Sequence, residues 1–137
     1  VSERAALGLG EADPARFRYL ERTTAFADRL ADYDLVIHPS RRETFGLAAL
    51  EALAAGVPVV SSRVGALDEA IVDRRALFAP GDAADLARVL EGLPAAWAEI
   101  VAELPDRRRR LGETHGVDRA VSLFEAGLAA IGPAGLR

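Results

Sequence analysis

The sequence predicts an α/β fold in which a mostly parallel sheet carries helices on both faces. Short apolar runs typical of strands alternate along the chain with segments of helical periodicity. In addition, half of the 137 residues are hydrophobic, which is enough for one packed domain of ordinary size. In a sheet of this kind, ligands bind outside the carboxyl ends of the strands.

Residues 15–62 contain three predicted strands and two predicted helices. The run DLVIHPS is apolar until Pro39 stops it, which is typical of a strand buried on both faces. The second helix ends at Gly56, because glycine readily adopts the left-handed conformation of a helix end. In order, the elements are strand 15–23, helix 23–33, strand 34–40, helix 45–56 and strand 57–62.

Helices dominate the rest of the chain. Asp82 is a suitable amino-terminal cap for the helix that follows it. The predicted elements are helix 65–73, a short strand and a turn within 76–82, and helices 82–93, 94–111 and 117–131.

Composition excludes several classes of function. The formal charge of −4 and the pI of about 5.2 argue against a nucleic-acid-binding surface. The chain has no cysteine, and its two histidines, His38 and His115, are not at metal-ligand spacing. The absence of cysteine fits a reducing compartment, so we predict a cytoplasmic protein. No apolar run approaches the roughly 18 residues of a membrane-spanning helix.

Two glutamates flank the start of the predicted helix 45–56. Its first amides, near Phe45, Gly46 and Leu47, have no partner within the helix and suit an anion such as a diphosphate. Gly46 lacks a Cβ, which would let a ligand approach the backbone. Glu43 and Glu51 can accept hydrogen bonds from hydroxyl groups, so a nucleotide sugar would match. Alternatively, both are solvated charges near a helix start.

The stretch HPSRRETFGLAALEALAAGVPVVSSRVGALDE resembles the signature of the family 4 retaining glycosyltransferases, also called glycosyl transferases group 1. That signature combines Pro-Ser, Glu-x-Phe-Gly-Leu, Glu-Ala and Gly-x-Pro-Val-Val, followed by a glycine-containing loop and a glutamate. The later segment PGDAADLA is similar to the Pro-Gly-Asp stretch that follows in the family. The family usually has two glycines where this chain has Gly65 and Ala66.

The resemblance implies a transferase that moves a sugar from a nucleotide diphosphate sugar to a hydroxyl acceptor with retention of configuration. Glu43 would be the catalytic residue that binds the donor sugar, and Glu51 would bind the ribose. No metal or cofactor is expected besides the donor substrate. The implied donor-binding residues are Glu43, Thr44, Phe45, Gly46, Leu47 and Glu51.

The resemblance also implies the Rossmann-like carboxyl-terminal half of a GT-B fold, incomplete at its start. Residues 1–137 would form a partial nucleotide-sugar-binding domain, with the upstream strands and the acceptor domain absent from this chain. In the family's strand order, 3-2-1-4-5-6, residues 16–20 would be strand 3 and residues 34–38 strand 4. The intervening strands would be missing, so we expect exposed sheet edges.

Other interpretations remain open. The chain could be a non-catalytic module that binds a nucleotide sugar or a partner, or another GT-B enzyme such as an epimerase or phosphorylase. We interpret His38 as a packed residue at a strand end. The basic run Arg107–Arg110 is a solvated helix face, with peripheral contact to a membrane or an acidic partner as the alternative.

Overall fold

The computed structural model describes residues 26–71 and 73–131, except the side chains of residues 117, 124 and 127–131. The predicted strand 15–23 lies outside the described residues. The helices are α1 (Phe26–Arg29), α2 (Leu47–Ala54), α3 (Leu67–Ala70), α4 (Ala83–His115) and α5 (Val117–Ile131), and the strands are β1 (Val36–His38), β2 (Val59–Ser62) and β3 (Leu77–Phe78). Two 3₁₀ turns, Leu30–Asp32 and Arg74–Ala76, precede β1 and β3.

The strands form one parallel sheet in the order β1-β2-β3. The β1–β2 register pairs Ile37 with Val60 and His38 with Ser61, and the β2–β3 register pairs Ser62 with Phe78. Each parallel connection contains a helix, as parallel pairing requires. The predicted parallel α/β architecture is therefore confirmed.

The core lies between the sheet and the helices α2, α3 and α4. Every residue of β2 is buried, which confirms the prediction of a strand buried on both faces. α2 contributes one apolar face to this core. The buried residues of that face are Ala49, Leu50, Ala52 and Leu53.

The strand β1 departs from the prediction. It was expected to be buried on both faces, but Ile37 is 41% exposed. Among the described residues β1 pairs with β2 alone, so it is an edge strand there, and the face that carries Ile37 is partly exposed. An apolar run cannot by itself distinguish a central strand from an edge strand.

The long helix α4 also corrects the prediction of separate helices at 82–93 and 94–111. It runs unbroken for 33 residues and contains Pro94 and Pro105. Proline removes one backbone hydrogen bond and normally kinks or ends a helix. Here the buried side chains on both sides of Pro94 form one stripe toward the core, and this packing favours continuation. The stripe consists of Val89, Leu93, Ala96 and Ile100.

The start of α4 confirms the predicted cap. Asp82 accepts a hydrogen bond from the Asp85 amide over 2.9 Å. Asp85 in turn accepts from the Ala79 amide over 2.7 Å, and this bond is the chief cause that lowers the pKa of the Asp85 carboxyl. Together the two bonds fix the turn between β3 and α4. No helix among the described residues is long and apolar enough to cross a membrane.

Candidate functional site

The loop that follows β1 lies at the carboxyl edge of the sheet, where the sequence predicts a ligand. Two hydrogen bonds attach it to its neighbours at that edge. The Ser62 hydroxyl donates to the Ser40 carbonyl over 2.5 Å, and the Ala66 amide donates to the Thr44 carbonyl over 3.2 Å. The protein itself therefore fixes the turn before α2. At this edge of the sheet, the loops that follow β1, β2 and β3 are residues 39–46, 63–66 and 79–82, respectively.

Glu43 lies in this turn and is only partly exposed. Its Oε1 atom accepts a hydrogen bond from the Thr44 amide over 3.1 Å. Its Oε2 atom lies 3.7 Å from Nε2 of His38, the last residue of β1. The Thr44 amide thus orients the Glu43 carboxylate, and the other carboxylate oxygen faces the His38 imidazole at the edge of the sheet.

Gly46 is buried directly before α2, with φ 69° and ψ 46°. A Cβ on this residue would lie 2.6 Å from the Leu67 side chain. The structure adds two reasons for this glycine to the expected close approach of a ligand: its left-handed backbone and the contact with Leu67. Whether its backbone binds a donor stays a prediction.

The start of α2 offers unpaired amides. Ala49 and Leu50 both donate to the Gly46 carbonyl, over 2.9 and 3.1 Å. Gly46 has no side chain that could cap the helix, and no described residue outside the helix accepts a hydrogen bond from the amides of Leu47 and Ala48, so these amides can bind another acceptor. The helix dipole adds positive potential at the same place. An anion at this position would be stabilised.

Glu51 has different surroundings from Glu43. It lies on the second turn of α2 and lines a groove between α2 and the end of α4. Exposed Phe45 and Leu47 line an adjoining groove of about 430 Å³. The structure thus groups Phe45, Leu47 and Glu51 along one side of α2, while Glu43 lies by His38. Opposite α2, the walls of these two grooves include Leu111, His115, Gly116 and Leu123.

Cationic side chains accompany the edge loops. Arg41 and Arg42 precede Glu43, and Arg63 directly follows β2. None of the three takes part in an ion pair with the other residues that the structure describes. The Arg41 Nε atom lies 3.6 Å from the position that a Cβ would take on Gly81, so the Arg41 side chain reaches the loop that follows β3. These charges suit a diphosphate at the same edge.

A family model described as glycosyl transferases group 1 matches residues 3–95. The chain belongs to this family. Its parallel α/β sheet is consistent with the Rossmann-like carboxyl-terminal half of the GT-B fold, and the retaining family 4 assignment is consistent with the match. No solved structure gives a significant match to the chain.

Curated members of the family resemble the chain over most of its length. It is 35% identical over 115 residues to the D-inositol 3-phosphate glycosyltransferase of Streptomyces coelicolor, covering 81% of this chain and 23% of that protein. It is 38% identical over 112 residues to the GDP-mannose-dependent alpha-(1-6)-phosphatidylinositol dimannoside mannosyltransferase of Mycobacterium tuberculosis, covering 79% and 26%. The chain therefore spans about a quarter of the length of these relatives.

Sequence reasoning missed three contributors to the site. His38 is packed at the strand end as predicted, with a side chain only 15% exposed, but the sequence did not predict that its imidazole faces Glu43. Gly65 supports the turn, since a Cβ there would lie 2.2 Å from the Glu43 carbonyl oxygen. Leu67 fills the space beside Gly46. Of these three residues, only His38 had a signal in the sequence, because it ends a strand at the edge of the sheet where ligands bind.

Proposed function

We propose that the chain is the donor-binding part of a glycosyltransferase that moves a sugar from a nucleotide diphosphate sugar to a hydroxyl acceptor. Family membership supports this function, as do the printed activities of relatives such as the mannosyltransferase. The observation that carries the proposal is the uncapped start of α2 at the carboxyl edge of the sheet, with Glu43 before it and Glu51 on its second turn.

The proposed roles follow from charge and hydrogen-bonding capacity. The amides at the start of α2, helped by Arg41 and Arg63, bind the diphosphate. Glu43 accepts hydrogen bonds from hydroxyls of the donor sugar, and Glu51 accepts them from the ribose. Neither carboxylate contacts the phosphates, because like charges repel. Phe45 and the rest of the turn enclose the donor.

In the proposed reaction, the bond between the anomeric carbon and the diphosphate oxygen breaks, and its electron pair leaves with the diphosphate. The acceptor oxygen bonds to the anomeric carbon on the same face and gives its proton to the departing diphosphate oxygen, so the configuration is retained. The amides and arginines stabilise the charge that develops on the diphosphate. Glu43 holds the sugar while positive charge develops on its ring. No metal is required in this scheme.

We expect Glu43→Ala to lower the turnover of the natural full-length protein about tenfold or more. A hydrogen bond to a charged group contributes roughly 1.5 kcal/mol or more, and about 1.4 kcal/mol corresponds to a tenfold change in rate. GDP-mannose and UDP-linked hexoses serve as donor probes and D-inositol 3-phosphate as the acceptor probe. Product is measured by chromatography.

Glu91→Ala is the matched control, since Glu91 is exposed on α4, away from the turn. It should leave turnover unchanged. Equal turnover of wild type and Glu43→Ala would contradict the role of Glu43. Calorimetry with GDP and UDP should give weaker binding for Glu51→Gln than for wild type, because the acceptor of the ribose hydrogen bond loses its charge.

One observation favours the alternative of a non-catalytic binding module. Glu43 and Glu51 have separate surroundings, with Glu51 lining the groove beside α4 and Glu43 facing His38. Binding of a nucleotide diphosphate without sugar transfer by the full-length protein would support this module.

The alternative of peripheral membrane contact has less support, because Arg107 and Arg109 already pair with carboxylates of the chain. A cytoplasmic location remains part of the proposal.

A further inference from the structure

The imidazole of His38 has one nitrogen at the candidate site and one in the protein interior. Nε2 lies 3.7 Å from Glu43 Oε2. Nδ1 is buried and has no hydrogen-bond partner among the described residues. An unpaired buried polar atom is rare and calls for an explanation.

The surroundings of the two nitrogens favour one tautomer of the neutral ring. A proton on Nδ1 would be a buried donor without an acceptor, which costs free energy. The neutral ring with its proton on Nε2 directs that proton toward Glu43 Oε2, which as a carboxylate oxygen can only accept, whereas the other tautomer would turn a lone pair toward it. In this state, the Nε2–H faces the carboxylate of Glu43.

The backbone of His38 is held in place from the neighbouring strand. Ser61 is its partner in the β1–β2 register, and the Ser61 hydroxyl donates to the His38 carbonyl over 3.3 Å. The Ser62 hydroxyl holds the Ser40 carbonyl, two residues further on. Both serine side chains are fully buried. These bonds fix the backbone that carries the ring, and the Nδ1 side of the ring is buried, so the ring is well placed to orient Glu43.

We propose that His38 is a positioning residue for Glu43. The Thr44 amide already holds Oε1 over 3.1 Å, and the His38 Nε2–H attracts Oε2. At 3.7 Å the second contact is longer than a hydrogen bond, and a small rotation of the Glu43 side chain closes it when donor binds. The carboxylate is then held at both oxygens, and its remaining lone pairs point to the sugar hydroxyls. This inference rests on the proposed function.

His38→Gln and His38→Leu distinguish positioning from packing. Both substitutes fill space beside Glu43, but only glutamine carries an N–H donor near the position of Nε2. In the full-length protein we expect His38→Leu to lower kcat about threefold to tenfold, and His38→Gln to recover most of that loss. Both should leave the Kd for GDP and UDP unchanged, since His38 acts on the sugar side of the site.

A double variant tests whether His38 acts through Glu43. In the Glu43→Ala background, His38→Leu should change neither kcat nor the ratio of the Kd of GDP-mannose to that of GDP. Equal kcat for His38→Leu and His38→Gln, or an undiminished effect of His38→Leu in that background, would overturn the positioning role. A wild-type protein that neither binds nor transfers would overturn the proposed function itself, a result distinct from both.

Discussion

We expect Gly65→Ala to lower the free energy of unfolding by about 3 kcal/mol. A Cβ at this position would lie 2.2 Å from the Glu43 carbonyl oxygen and 2.9 Å from that of Thr44. Both are backbone atoms, so neither can rotate away, and overpacking of this kind costs roughly 1–3 kcal/mol. The φ of 52° adds about 1–2 kcal/mol for a residue with a Cβ. Urea unfolding followed by circular dichroism measures the change.

Gly56→Ala separates the two contributions. Gly56 also has a positive φ, 82°, but a Cβ there would meet no atom within 4 Å. This control should therefore lose only the roughly 1–2 kcal/mol of backbone strain. Equal losses for Gly65→Ala and Gly56→Ala would show that the close approach of Gly65 to the Glu43 turn is unimportant. A larger loss at Gly65 supports a turn fixed by its neighbouring loop.

We expect Asp73→Ala to lower the free energy of unfolding by about 3 kcal/mol, as is typical when a buried ion pair loses one partner. Asp73 is 8% exposed and accepts hydrogen bonds from Arg75 and Arg107, each over 3.0 Å. Arg107 belongs to α4 and its side chain is only 16% exposed, so the substitution leaves a largely buried guanidinium with fewer partners. Asp68→Ala, which breaks an exposed pair with Arg74, should cost at most about 1 kcal/mol.

The Asp73 contribution should depend on pH. Burial raises the pKa of the Asp73 carboxyl, but hydrogen bonds from Arg75 and Arg107 outweigh burial and lower the pKa from 3.8 to about 2. The unfolded chain therefore binds this proton first as the pH falls. The resulting stabilisation, about 2 kcal/mol, is present above pH 4 and is lost as the pH falls toward 2.

Asp73→Asn provides the measurement of this pH dependence. It keeps the size of the side chain but removes its titration. The difference in free energy of unfolding between wild type and Asp73→Asn should shrink by about 2 kcal/mol between pH 5 and pH 2. A difference that stays constant over this range would contradict a carboxylate held ionised by the two arginines.

Most of the fold could be predicted because its signals are local. The apolar run at β2, the helical spacing of α2 and the Asp82 cap each lie within a few residues of one another. Prediction failed where distant residues decide. Whether Pro94 ends a helix depends on the core contacts of the helix on both sides of it, and whether Ile37 is buried depends on which elements cover β1.

The candidate site shows the same division. Glu43, Gly46 and Glu51 could be selected from spacing and from the family resemblance. Their surroundings could not, because Leu67 beside Gly46 and the walls of the groove beside Glu51 come from other elements. The contact between His38 and Glu43 requires the strand end and the turn to fold toward each other. No sequence pattern predicts the distance between these two side chains.

By itself, the sequence determined the parallel α/β class, the helix start between two glutamates and the family, since these depend on periodicity and on motifs of adjacent residues. Only the tertiary structure decided that Gly46 is needed for its backbone and for Leu67, that Asp73 joins α4 to the turn before β3, and that an imidazole faces Glu43. The Gly46–Leu67 and Asp73–Arg107 contacts join groups far apart in the chain and arise only when the sheet and helices pack. The His38–Glu43 contact lies within one strand end and its loop, and it depends on how hydrogen bonds to the neighbouring segments fold that loop.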